Sequence, residues 1–144
     1  MSDQVIKLVI AGVLLLHGVA HVGPLATYIW IRARPADKTG GWVAARSWLL
    51  PTLPATTATA IASAFWLLSL VGFVGAALSF LGILVPGEVW RQLALASAIV
   101  SIFGIAAFFG TWPLFNTLAA LGINVVVLLT QLWLRWPPRM LFGN

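Results

Sequence analysis

Cysteine is absent from the 144-residue chain, so it can form no disulfide, thiolate metal site, iron–sulfur cluster, Cys-ligated haem or thiol redox pair. Acid is nearly absent as well: Asp3, Asp37 and Glu88 are the only carboxylates, and charged residues make up 8% of the whole. Water-soluble proteins carry about 25% charged residues. A globule of this size cannot be covered with so few, so most of its surface must face hydrocarbon. The net charge of +5 arises from the shortage of acids, and the eight cations flank apolar stretches, where they would meet lipid phosphates rather than nucleic acid.

What is present is apolar: 61% of the residues, which at about 20 residues per crossing supports about four transmembrane helices. The expected fold is therefore all-α, one integral membrane domain over residues 1–144, an up-down bundle of four spans at about 5–30, 61–85, 90–109 and 114–134. Tyr28 and Trp30 close the first span as interface aromatics, with Arg32 and Arg34 beyond them. A cleavable signal peptide is a poor alternative, because only Lys7 represents its basic region. Residues 32–54, with Pro35, Gly40, Gly41, Pro51 and Pro54, read as the longest connection, and 41–50 as a short interfacial helix carrying Trp42 and Trp48. Most of the eight tryptophans fall at expected interfaces, with Trp66 alone deeper. Arg32, Arg34, Lys38 and Arg46 balance Lys7, Arg91, Arg135 and Arg139 across the membrane. The cations that follow the first span favour a cytoplasmic first loop and outside termini.

Small residues form two seams. Ser69, Gly72, Ala76 and Ser79 share one face of the second span, and Ala94, Ser97, Ala98, Ser101 and Gly104 one face of the third. Because lipid is as apolar as leucine, transmembrane helices associate through close packing at such residues, so these two spans should pack together. Gly18 offers the same close approach on the first span. Gly110 to Pro113 is a tight turn that brings the fourth span back beside the third, and Pro137-Pro138 ends the regular helix.

The only two histidines, His17 and His21, lie four apart in Leu14-Leu15-Leu16-His17-Gly18-Val19-Ala20-His21, hence on one helix face. Titratable groups at bilayer depth are costly and default to a site facing the bundle interior, where neutral imidazoles are expected; the plain alternative is interhelical hydrogen bonding with no ligand. Pro24 should kink the span just beyond the second histidine. Asn116, Asn124 and Gln131 form a polar stripe on the fourth span. With every polar face turned inward, His17, His21, Ser69, Ser101 and Asn124 would make a mid-membrane polar layer, the candidate ligand site. For a metal, His17 and His21 are the only candidate ligands, and no carboxylate lies near them. Two ligands on one helix face cannot reach both sides of a porphyrin, so haem within the chain is limited to one axial histidine. Glu88, Arg91 and Gln92 could form a small ion pair or meet a lipid headgroup at the entry to the third span.

Leu14-Leu15-Leu16-His17-Gly18-Val19 followed by His21 resembles the first-helix signature of the DoxX-like small membrane proteins, roughly L-L-H-G-x-x-K. His21 stands here where that family has lysine. Leu121-Gly122-Ile123-Asn124 is similar to the fourth span of bacterial four-helix proteins that bear a first-helix H-G-x-x-H. The resemblance covers about ten residues and the four-span layout. It implies a bacterial cytoplasmic membrane and an association with redox or quinone-linked complexes, and it carries no catalytic residue to transfer.

Three functions follow as expectations. The seams and the lack of catalytic residues point to a non-enzymatic accessory or scaffold subunit that packs in the bilayer against other membrane subunits or itself. The histidines point to a quinone, haem or metal site. The polar layer points to a small-molecule or proton pathway.

Overall fold

A computed structural model of the chain describes residues 2–31 and 43–138. Arg32, Arg34, Pro35, Asp37, Lys38, Gly40, Gly41, Trp42 and Arg139 lie outside them. The described part is helical: α1 (Asp3–Ala20), α2 (Val22–Ile31), α3 (Ala55–Phe80), α4 (Trp90–Ala107) and α5 (Leu114–Leu128), with a 3₁₀ turn at Gly87–Val89 and a π-helical turn at Leu129–Trp133. Four helical segments are long and apolar enough to cross a membrane, the first being α1 and most of α2 taken together.

The helix ends follow from local chemistry. Pro54 and Pro113 are extended, and their carbonyls accept the first helical bonds, from Ala58 and Thr117. The second long helix therefore starts at Ala55, six residues before the expected 61. Within the threonine-rich stretch Thr59 donates back to the Ala55 carbonyl at 2.8 Å, so its hydroxyl is satisfied without leaving the helix. The same helix ends at Phe80 instead of 85. Gly82, at φ +68°, makes a left-handed stop in which Ile83 N–H donates to the Leu78 carbonyl and Gly82 N–H to that of Ser79, the 6→1 and 5→2 bonds of a Schellman end. The third long helix stops at Ala107, two residues before the expected end, and Gly110 at φ +86° turns the chain into α5.

The helices form a chain of close neighbours, α1 and α2 on α3, α3 on α4 and α4 on α5, whereas α1 and α5 approach each other less closely. Small residues set the close approaches. A Cβ on Gly18 would sit 2.9 Å from the Phe73 Cβ and 3.1 Å from the Val74 amide nitrogen; one on Gly72 would collide with the Ser97 hydroxyl; one on Gly104 would fall 2.8 Å from the Phe65 Cβ. Ser69, Ala76, Ser79, Ala94, Ser97, Ala98 and Ser101 are all buried. Both seams thus meet inside the chain, as the sequence leads one to expect. Leu16, Leu68, Val71, Phe103 and Phe115 are turned outward, so the large apolar side chains coat the bundle while the small ones line its seams.

Two expectations fail here. Residues 43–50 form irregular chain and bends, not a helix. Val43 N–H donates to the Thr111 carbonyl, the Trp48 indole N–H to that of Ala106, and Ala45 is inserted in a core with Trp66, Phe108 and Trp112. These anchors tie the segment to the α4–α5 turn, which a free amphipathic helix could not do. Second, Trp66 is not the only inward tryptophan: Trp90 and Trp112 are buried too, Trp90 edge-on to Phe80 at 4.9 Å.

Replacing Gly18 by Leu should therefore destabilise the bundle by about 1–3 kcal/mol, the usual cost of overpacking, whereas Gly122→Ala, which meets nothing within 4 Å, should be neutral or slightly stabilising. Equilibrium unfolding in mixed micelles compares the two, and equal stability of both variants would contradict the close α1–α3 approach.

Candidate functional site

The first long segment breaks at His21, between α1 and α2, one residue earlier than a kink just past this histidine would fall. Pro24 has no N–H to give the Ala20 carbonyl. The His21 amide, which in a regular helix would close on His17, turns to the Gly18 carbonyl at 3.0 Å. The carbonyl of His17 is thereby released from its helical partner, and the His21 side chain takes it up: Nδ1–H donates to it at 2.9 Å.

That bond fixes the rest. A carbonyl can only accept, so His21 carries its proton on Nδ1, and the neutral ring has a lone pair on Nε2. Nε2 lies 3.0 Å from the Ser101 hydroxyl, which donates to it. The Ser101 oxygen accepts from Asn124 Nδ2 at 2.8 Å. Asn124 Oδ1 accepts from His17 Nε2–H at 2.9 Å. Every link points the same way, and the circuit closes on the residue where it began: His17 ring, Asn124, Ser101, His21 ring, His17 carbonyl. It joins α1, the break, α4 and α5. His21, Ser101 and Asn124 are 1% exposed or less, and His17 is 4% exposed, so four polar side chains are held in an apolar interior with neutral rings.

Aromatic rings wall the circuit. Phe73 meets His17 edge-on at 4.6 Å, and His21 has Phe73, Trp66 and Trp112 around it at 6.1, 6.3 and 5.8 Å. The Trp66 indole N–H donates to the Tyr28 hydroxyl at 3.0 Å.

Of the five residues expected in a polar layer, four are bonded together. Ser69 is not, although it is buried, because its hydroxyl donates to the Phe65 carbonyl of its own helix at 2.8 Å. The polar stripe of α5 divides by depth. Asn124 enters the circuit. Asn116 is exposed beside a cleft. Gln131, in the π-helical turn, accepts from Arg91 Nε at 2.9 Å and donates to the Trp136 carbonyl at 2.8 Å. Arg91 thus pairs with Gln131 and the Pro137 carbonyl and stands 5.5 Å from the Trp90 ring. This interhelical clasp had no signal in the sequence, since Arg91 and Gln131 lie 40 positions apart.

Where α1 and α5 stand apart, a cleft of about 330 Å³ opens between them, lined by Val13, Leu16, His17, Ala20, His21, Trp112, Phe115, Asn116, Ala119, Ala120 and Ile123. The His17–Asn124 bond crosses between these two helices. The lining is mainly apolar, with two imidazoles, an indole and an amide as its polar groups.

The donor set suits an organic molecule better than a metal. No cluster of three or more His, Cys, Asp or Glu side chains occurs among the described residues. His21 uses both ring nitrogens and His17 uses Nε2. One lone pair, on His17 Nδ1, is left over, and a metal bridging the two rings would have to dismantle the circuit. The haem option also shrinks to that single nitrogen. Compared with family models, curated proteins and solved structures, the chain finds no match.

The circuit makes a spectroscopic prediction. Nitrogen-15 NMR of the labelled imidazoles should show opposite neutral tautomers, Nε2–H for His17 and Nδ1–H for His21, and two rings of the same tautomer would refute the bond directions. Asn124→Leu leaves both the His17 donor and the Ser101 oxygen without their partner, so it should cost about 1–3 kcal/mol. Combined with Ser101→Ala, the total should fall short of the sum by more than about 0.5 kcal/mol, as in any shared network.

Proposed function

We propose that this chain is an integral membrane protein, without catalytic residues of its own, that holds a small lipid-soluble molecule in the cleft between α1 and α5. The observation that carries the reading is the coincidence of cleft and polar circuit. A concave, mostly apolar volume at the lower end of the range for small-molecule sites has a few fixed polar groups at its wall. A quinone-class molecule, a polar ring on an apolar tail, matches that division: ring towards His17 and Asn116, tail among Leu16, Phe115 and Ile123 or out between the helices into lipid.

An accessory role in a larger, redox or quinone-linked membrane complex is compatible with such a site, and the short resemblance to DoxX-like proteins of the bacterial cytoplasmic membrane points the same way. A partner subunit, or a second copy, would have to use some other surface than the small-residue seams, which are consumed by packing within the chain. A proton pathway is favoured less, because the circuit returns to its starting residue and does not lead from one end of the bundle to the other. We place the termini outside on the strength of the charges that follow the first span.

In nanodiscs, a decyl-substituted benzoquinone should quench tryptophan fluorescence saturably, since Trp112 lines the cleft. Ala119→Phe, which fills the cleft from an exposed position without touching the circuit, should abolish the saturable part. Quenching that rises linearly with probe in both proteins, as in empty discs with a dissolved indole, would overturn the proposal.

A further inference from the structure

Resting on the cleft reading, we propose that the site selects molecules whose polar head donates a hydrogen bond, phenols and hydroquinones, over those whose head only accepts, quinones and aryl ethers, and that His17 Nδ1 is the acceptor that makes the distinction.

The polarity follows from the circuit. With Nε2–H committed to Asn124 Oδ1, neutral His17 presents a bare lone pair at Nδ1. Nδ1 has no hydrogen-bond partner among the described residues, and it is not one of the sealed-off polar atoms of the interior. His17 itself borders the cleft and as a residue is 96% buried, so the unpartnered nitrogen belongs to a buried ring at a cavity wall and is not itself sealed off.

The ring cannot adapt by moving its proton. A shift from Nε2 to Nδ1 would leave Asn124 Oδ1 facing a lone pair. To mend that, the amide would have to flip and turn Oδ1 towards Ser101. The serine hydroxyl would then have to rotate onto Oδ1, leaving His21 Nε2 without its donor while Nδ1 stays committed to the His17 carbonyl. One change of tautomer breaks the direction of the whole ring of bonds, so the acceptor character of His17 is held by three other residues. His21 offers the cleft no free nitrogen. A head that brings an O–H gains a bond at Nδ1. A carbonyl or ether oxygen brings a second lone pair to the same place and leaves the buried nitrogen unpaired, which is the stronger form of discrimination.

Two pairs of probes isolate the effect: 4-nonylphenol against its methyl ether, and a decyl-hydroquinone kept reduced against the corresponding quinone. Titration calorimetry of each compound by itself into protein-loaded nanodiscs, with empty discs subtracted and reductant present only for the hydroquinone, should rank each O–H compound above its partner by about fivefold to tenfold, the yield of one neutral hydrogen bond. The nitrogen-15 signal of His17 Nδ1 should move with the phenol and stay in place with the ether. His17→Gln keeps an amide N–H for Asn124 but no acceptor at the Nδ1 position, so both ratios should fall to about one. Equal affinities within each pair and an unmoved Nδ1 signal in the wild-type chain would overturn the selectivity while leaving the cleft reading intact, a result that does not depend on how the variant folds. Absence of saturable binding by all four probes would remove both.

Discussion

A polar group carried into an apolar interior has to find its partner inside the protein, because an unpaired donor or acceptor there costs more than a made hydrogen bond returns. Two imidazoles, an amide and a hydroxyl meet this constraint together, and they do so with one arrangement of protons. The consequence reaches beyond the four residues. Helices α1 and α5 are the first and last of the long helical segments and approach each other less closely than α1 approaches α3 or α5 approaches α4. The His17–Asn124 bond links them directly, and the bonds through Ser101 tie both to α4.

The coarse fold was legible because it depends on composition. Few charges and long apolar runs leave a chain little besides helices that satisfy their own backbone, and all four segments expected from the sequence are present. The seams were legible because helical spacing and residue size are both written in the sequence. Ends were read less well. The Thr/Ala stretch before Ile61 is the expected start of the second span, yet polarity does not show that the helix already starts at Ala55, directly after Pro54, and Gly82 ends the same helix before its apolar run does. The 43–50 segment misled for a related reason: two tryptophans flanking an arginine suggest an interfacial helix, while Ala45, the residue that anchors it in the core, has no signal of its own.

At the candidate site, the spacing of the two histidines and the depth of Asn124 and Ser101 were enough to expect a common layer. Ser69 is buried as that layer requires but stands outside the hydrogen-bonded circuit, since depth and face do not tell whether a hydroxyl will bond across a gap or back to its own helix. The directions of the bonds could not be read at all. They follow from a single backbone detail, the turning of the His21 amide from His17 to Gly18, which leaves a carbonyl for the side chain to satisfy.

Helix break, circuit and cleft are therefore steps in one argument. Pro24 removes an N–H, the helix parts at His21, and the freed carbonyl of His17 dictates which nitrogen of His21 bears the proton. That choice runs through Ser101 and Asn124 and returns to His17, where it settles which nitrogen is donor and which is bare. Had the helix been continuous, the His17 carbonyl would have been taken by the backbone, His21 would have been free to hold either tautomer, and the cleft would face a ring able to donate or accept. A proline seven residues from His17 thus gives the cleft wall a fixed hydrogen-bonding sign, set by neutral groups with no charged residue in the lining.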